Sequence, residues 1–402
     1  MCSTLDNIFV GQLWRSVKHE DIYLKFCATA AEFKCGLKGY FITIHSTSFR
    51  LSVGVHFSPM SIMKDLPDNK VRRMLLLMVC LFFMLFAQAP GTTLFASPAS
   101  QLKKVSLIPL WSPQSQFAGY YVALDKGIYS RHGIDLTIIK GGPGHSPAGS
   151  LRNGEADFAI LWLTTALQHR SAGMPIVNVS QIIQRSSMML ISRKIAGIRR
   201  LEDMNGKRVG LWSGDLSIPY RTLFANRGIH VQEIPQSGTV NLFLRGGVDV
   251  TSAMWYNEYH VILNSGVDSD ELNTVFLQDE GIAFPEDGLY TLEKTVKKDP
   301  ALVDAFVTAS REGWQYAFAH PDEALDIVIK YMRQAQLPAN RIHQKWMLDR
   351  MRDLILIQKN QAAEGALDKH DYEAVAKAMQ HEKLIQHYPD FTTFTWRYHA
   401  GE

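Results

Sequence analysis

Cysteine is scarce in this chain: four in 402 residues, with all of them (Cys2, Cys27, Cys35 and Cys80) in the N-terminal fifth. Everything after Cys80 lacks thiols, which excludes disulfides, cysteine metal sites and cysteine nucleophiles from that part. Long apolar runs are missing too. The longest candidate, Met74–Ala87, has 14 residues, whereas a membrane-spanning helix needs about 20. The formal net charge is only +3, and no basic stripe with interleaved aromatics occurs, so nucleic acid is not an expected partner. There is no P-loop, no catalytic triad, no catalytic carboxylate pair and no histidine spacing suited to a metal.

What is present begins with a targeting pattern. Arg72 and Arg73 precede the apolar run, and Ser97, Pro98 and Ala99 place small residues at the −3 and −1 positions of a cut before Ser100. Residues 63–99 therefore read as a signal peptide, which implies a periplasmic or secreted protein. A second match at Ala87 to Ala89 is followed by Pro90, which should block cleavage. An uncleaved anchor is the alternative. Residues 1–62 show no sustained period and read as a non-native or disordered extension, with translation expected from Met63. The remaining length suffices for two domains of ordinary globular composition.

The stretch from Val105 to Gly144 organises that remainder. Val105–Leu110 reads as a buried strand, and Phe117, Tyr120, Tyr121, Leu124 and Ile128 follow at helical spacing. Gly133 supplies a helix stop, and Ile134–Lys140 reads as a second strand. Strand, helix and strand with short loops form a βαβ unit with parallel strands. Ligands of such sheets sit beyond the carboxyl ends of the strands. Here those ends carry Trp111 to Ser115 and the loop of Gly141, Gly142, Pro143 and Gly144.

Strands and helices alternate onward to Ile183, and a second round runs from Leu201 to Trp255. The rounds echo each other: Arg131 to Leu136 (RHGIDL) resembles Asn226 to Val231 (NRGIHV), and Leu151 to Asp157 (LRNGEAD) resembles Leu244 to Asp249 (LRGGVD). Two similar α/β lobes follow from this. One comprises residues 103–188 plus 289–402, the other 189–288. Gln184–Arg193 is expected to cross between them and Leu277–Leu289 to return, leaving a hinged cleft. C-terminal helices begin at Pro300, Pro321, Asn340 and Asp371. They are expected to pack on the first lobe, the one at Pro300 through Leu302, Ala305, Phe306, Ala309, Gly313 and Tyr316.

The pattern from Trp111 and Pro113 through Phe117-Ala-Gly-Tyr-Tyr-Val-Ala to Gly127-Ile-Tyr resembles the SsuA/THI5-like (NMT1/THI5) family. Gly133-Ile-Asp-Leu, Gly154-Glu-Ala-Asp-Phe-Ala, Gly206-Lys-Arg-Val-Gly-Leu-Trp and Met254-Trp-Tyr-Asn-Glu-Tyr extend the resemblance across roughly residues 103–330. It implies a type II periplasmic-binding-protein fold. It also implies the substrate-binding role of an ABC transporter, for pyrimidine-like, flavin-like or sulfonate ligands. A eukaryotic branch of the family consists of thiamine pyrimidine synthases, which consume pyridoxal phosphate and one of their own histidines with iron. Against that branch, Leu161 falls where the cofactor-binding lysine belongs and Thr165 where the sacrificed histidine belongs. The synthases' cysteine-rich run would fall on Gly281–Gly288 (GIAFPEDG). Leucine cannot form a Schiff base.

The expected ligand contacts are Trp111 and Trp162 at strand ends of the first lobe, and Trp255, Tyr256 and Glu258 at a strand end of the second. Tyr120, Gly142 and Ser213 join them. Indole faces suit a heterocycle, and a carboxylate accepts from an exocyclic amine or a ring N–H. Glu258 could equally be a helix-start carboxylate stabilised by the helix dipole. The reading is thus a monomeric receptor without cofactor that hands a small molecule to a membrane permease, with a synthase or a ligand sensor as rivals.

Overall fold

The computed structural model describes residues 102–356 and 365–396; the expected extension, the signal segment and all four cysteines lie outside them. The first round comprises β1 (Lys103–Ile108), α1 (Ala118–Asp125), α2 (Ile128–Arg131), β2 (Ile134–Ile138), α3 (Pro147–Asn153), β3 (Phe158–Trp162), α4 (Leu163–Ser171) and β4 (Ile176–Gln181). The second comprises β5 (Met188–Arg193), β6 (Arg208–Leu211), α5 (Ile218–Arg227), β7 (Gln232–Pro235), α6 (Asn241–Leu244), β8 (Val250–Met254), α7 (Glu258–Asn264) and β9 (Leu272–Phe276). Then come β10 (Asp287–Leu292), α8 (Glu293–Lys298), α9 (Pro300–Ala319), α10 (Pro321–Gln334), α11 (Arg341–Ile355), α12 (Lys369–His381) and α13 (Phe391–Phe394). Among the described residues no helix is long and apolar enough to cross a membrane.

Two five-stranded sheets share one topology. The first runs β2-β1-β3-β10-β4 and the second β7-β6-β8-β5-β9. In each, four strands run parallel and the fourth position is taken by an antiparallel strand arriving from the other half: β10 between β3 and β4, β5 between β8 and β9. The sequence echo has a physical counterpart. Asp157 Oδ2 accepts the backbone N–H of Ser106 at 2.9 Å, and Asp249 Oδ2 accepts that of Arg208 at 3.0 Å. The same carboxylate thus ties β3 to β1 in one half and β8 to β6 in the other. Gly133 and Gly228, which open the echoed second strands, both take positive φ, a conformation open to glycine at little steric cost.

The expected crossing over 184–193 needs correction. Met188–Arg193 is a strand, and the first connection is confined to Ile182–Ser187. Its six residues MMLISR are almost wholly buried. A strand covered on both faces carries no alternation to mark it. β9 went unanticipated as well. The return connection runs from Leu277 to Glu286, and the two connections are bonded to each other. Glu286 N–H donates to Ile183 O at 3.2 Å, and the Glu286 carboxylate accepts from the Ser187 backbone and hydroxyl.

The long helix α9 lies on α1 through a glycine pair. A Cβ on Gly313 would stand 2.1 Å from Gly119 O, and one on Gly119 would stand 2.4 Å from the Trp314 ring. Its buried face includes Val303, Phe306, Val307, Ser310, Gly313, Trp314 and Ala317. Leu302, Ala305 and Tyr316 of the expected stripe lie on its flank, only partly buried. Phe306 stacks on Phe158 at 3.9 Å between centroids, seating α9 on the first sheet.

The C-terminal helices do not all keep to the first half. α11 meets the first half where Gln344 Oε1 accepts the Ser115 N–H at 2.7 Å. It meets the second where Trp346 Nε1 donates to Trp255 O at 3.0 Å and His343 Nε2 lies 3.0 Å from Asn257 Oδ1. His260 and His343 touch Nδ1 to Nδ1 at 2.9 Å, so one ring donates and the other accepts. Burial and the neighbouring ring push His343 down to about 4, which keeps it neutral.

Candidate functional site

The carboxyl ends of both sheets converge on one cleft of about 440 Å³. β1 delivers Trp111 and β3 delivers Leu161 and Trp162. β6 delivers Trp212 and Ser213, and β8 delivers Met254 and, just beyond it, Tyr256 to Glu258. Trp111 is 39% exposed, a large indole left partly bare, whereas Trp162 is buried at 6%. The Trp111 ring reaches the opposite half: a methyl group added to Gly238 would lie 3.9 Å from its Cζ2.

Five of the eight residues singled out from sequence border this cleft: Trp111, Trp162, Ser213, Tyr256 and Glu258. The other three are placed elsewhere. Trp255 opens the turn that follows β8, closed by the Asn257 N–H donating to Met254 O at 3.1 Å, and its ring lies outside the cleft lining. There it meets Phe276 edge-on at 5.8 Å and carries the Arg350 guanidinium 4.6 Å above its ring. Tyr120 is a core residue, packed at right angles on Trp314 with centroids 6.0 Å apart. Gly142, at φ +111°, is pressed against Ser112 rather than open to the cleft. Its neighbour Gly141 explains the glycine pair, because a Cβ there would strike Pro109 O at 2.3 Å and Trp111 O at 2.5 Å. The loop supports the Trp111 backbone from behind. His145 is exposed in the same loop.

Glu258 serves two roles at once. As the first residue of α7 it accepts the Met254 N–H at 2.9 Å and the Asn257 side-chain amide at 2.7 Å, and it also faces the cleft. Burial raises its pKa, while those donors pull it back. It is not the lone acid near the cleft. Glu286, the last residue of the return connection, and Asp287, the first of β10, are 1% and 3% exposed. Burial pushes Glu286 up to about 8 and Asp287 up to about 7. Asp287 Oδ2 accepts from Gln116 Nε2 at 2.8 Å, and Gln116 Oε1 accepts from Gln114 Nε2 at 2.6 Å. Both glutamines line the cleft. The adjacent Glu-Asp before an apolar strand was the available signal for the acids; for the glutamines there was none.

Among the described residues, the cleft lining contains no lysine, arginine or histidine. Leu161 and Thr165 do border it, but neither can join an aldehyde as an imine or supply ring atoms, so the residues present do not fit pyridoxal phosphate chemistry of the synthase type. Elsewhere, Asp368, His370 and Asp371 bring metal-ligating atoms together at the exposed start of α12. Asp368 is already engaged there, capping the helix through the His370 and Asp371 N–H groups.

Comparison with known proteins follows this geometry. The family described as NMT1/THI5 like matches residues 114–324, just over half the chain. A riboflavin-binding protein, RibY, of Chloroflexus aurantiacus is 26% identical over 62% of this chain and 73% of its own. A 4-amino-5-hydroxymethyl-2-methylpyrimidine phosphate synthase of Legionella pneumophila is 23% identical over 73% of this chain and 91% of its own. The periplasmic aliphatic sulphonate binding protein SsuA of Escherichia coli superposes with a TM-score of 0.59 at 14% identity, over 73% of this chain and 92% of that one. The fold is that of periplasmic binding proteins of the ABC-import type.

Proposed function

The chain belongs to the NMT1/THI5-like family, and from that premise we propose that it is the periplasmic solute-binding component of an ABC importer for a flat, neutral heterocycle. The observation that carries this reading is the cleft itself, with Trp111 and Trp162 on one half facing Tyr256 and Glu258 on the other. An aromatic face stacked on a ligand ring contributes about 1–3 kcal/mol. The Glu258 carboxylate accepts from a ring N–H or an amine. A ligand touching both halves favours the closed form, because only closure makes both sets of contacts. The permease then reads the closed outline.

The cleft chemistry ranks the ligand classes. A sulfonate brings a permanent negative charge to a lining with no cation and one carboxylate, and that arrangement disfavours it. Isoalloxazines and aminopyrimidines bring flat rings and N–H donors. A ligand at 100 times its Kd stabilises the folded state by about 2.7 kcal/mol, an increase in Tm of roughly 5 °C or more. Thermal denaturation with riboflavin, with an aminopyrimidine and with an alkanesulfonate tests the reading. The first or second should raise Tm and the third should not. A shift with the sulfonate alone overturns it.

A further inference from the structure

Beneath the cleft floor lies a chain of three side chains that ends in a buried acid. Gln114 donates to Gln116, and Gln116 donates to Asp287. A carboxylate can only accept, so the Gln116 amide must point its NH2 at Asp287 and its oxygen at Gln114. Gln114 must then turn its own NH2 inward. That leaves Gln114 Oε1, which has no protein partner among the described residues, as the group offered to the cleft. Asp287 Oδ1 is buried without a hydrogen-bond partner, as is the Trp162 indole nitrogen. The nearby Trp162 side chain favours the charged form of Asp287.

We propose that Asp287 is a positioning residue that fixes the direction of this amide chain, making Gln114 an acceptor toward the cleft so that the receptor selects ligands by their N–H donors. The inference rests on the proposed heterocycle-binding role and narrows it. With the Glu258 carboxylate across the cleft, both halves offer acceptors, and a ring bearing donors on opposite edges bridges them. The sequence gives no hint of this, because two glutamines in a loop and one acid far along the chain become a unit only in the fold.

The chain has a second direction. A protonated Asp287 has no acceptor at Oδ1, which lacks a hydrogen-bond partner among the described residues, whereas at Oδ2 the proton can be donated to Gln116. Both amides then reverse and Gln114 presents its NH2. The titratable groups around Asp287 are Glu286 beside it, Tyr120 of α1, Tyr256 of the second half and Tyr290 of its own strand. All are acids, and none supplies a cation that would hold Asp287 ionised. The selectivity for donors should therefore weaken as the pH falls.

The test uses the wild type, Asp287→Asn, Gln116→Leu and the double variant. Two probes are titrated calorimetrically: 4-amino-5-hydroxymethyl-2-methylpyrimidine and its 4-dimethylamino analogue, which has lost the amine donors. Asp287→Asn should reduce the wild-type preference for the amine roughly tenfold, the effect of one hydrogen bond. In the Gln116→Leu background the same change should do nothing. Independently, the side-chain amide resonances of Gln114 and Gln116 in the ligand-free wild type should titrate together with pH and stop titrating in Asp287→Asn. Unchanged probe preference in Asp287→Asn, or amide resonances indifferent to both pH and the substitution, overturns the inference. Failure of the wild type to bind either pyrimidine or riboflavin overturns the ligand class instead, and the amide resonances still decide the relay.

Discussion

Replacing Glu258 by glutamine removes a charge and leaves the shape, which makes it the sharpest probe of how the cleft holds its ligand. The carboxylate already accepts from Met254 N–H and from the Asn257 amide, and its remaining lone pairs face the cleft. A glutamine must give its single oxygen to the Met254 N–H to avoid orphaning that buried donor. Its NH2 then faces the ligand, presenting a donor where an acceptor stood. The loss is that of a hydrogen bond to a charged group, about 1.5–3 kcal/mol, or roughly 10- to 150-fold in Kd. Wild-type affinity should also depend on pH. Burial raises the Glu258 pKa, so affinity is full above that raised value and falls as the pH drops through it, whereas Glu258→Gln shows no such fall. The substitution also costs the Asn257 hydrogen bond, because the glutamine NH2 stands where the oxygen that accepts from Asn257 Nδ2 stood. Calorimetric titration with the tightest heterocycle at pH 8 and at pH 5 measures all of this. A Glu258→Gln protein binding within twofold of the wild type at pH 8 would refute the role of the carboxylate.

Trp162→Ala should lose about 1–3 kcal/mol of ligand affinity, whereas Trp255→Ala should lower thermal stability and leave affinity within a few-fold, as fluorescence titration and thermal melts can show. Gly313→Ala forces a methyl group to within 2.1 Å of Gly119 O, and overpacking of that kind costs about 1–3 kcal/mol or more, read as a lower urea midpoint. Glu286 and Asp287 keep protons in the folded state that the unfolded chain has released by about pH 5. Stability should therefore fall as pH rises from the ordinary carboxylate range to about 8 for Glu286 and about 7 for Asp287, at up to about 1.4 kcal/mol per pH unit for each group. Urea unfolding at pH 5, 6.5 and 8 should show that slope, and Glu286→Gln should flatten it; a slope of opposite sign would contradict the assignment.

Much of the architecture was legible because local rules and the fold agree. The βαβ unit, the glycine stop at Gly133 and the echo around Asp157 and Asp249 are all features whose physics is contained in a few neighbouring residues. β5 was not legible, since a strand buried on both faces shows an apolar run and no period. Trp255 was misplaced because proximity to a strand end does not say on which side a side chain emerges, and here the turn that follows β8 decides it. α11 could not be assigned to both halves from its own sequence; its polar contacts with Ser115 and Asn257 join residues far apart along the chain. The buried acids were hidden for a related reason. Glu286 and Asp287 read locally as a polar turn after Pro285, and only the pairing of the two connections takes them out of water.

The most direct test of the central claim is to mix the purified wild type with an aminopyrimidine or riboflavin, in the presence of pyridoxal phosphate and ferrous iron, and to analyse the ligand and the protein by mass spectrometry. The account predicts saturable one-to-one binding, recovery of the ligand unaltered and an unchanged protein mass. A chemically transformed small molecule, or a protein that has lost mass at a side chain, would contradict it.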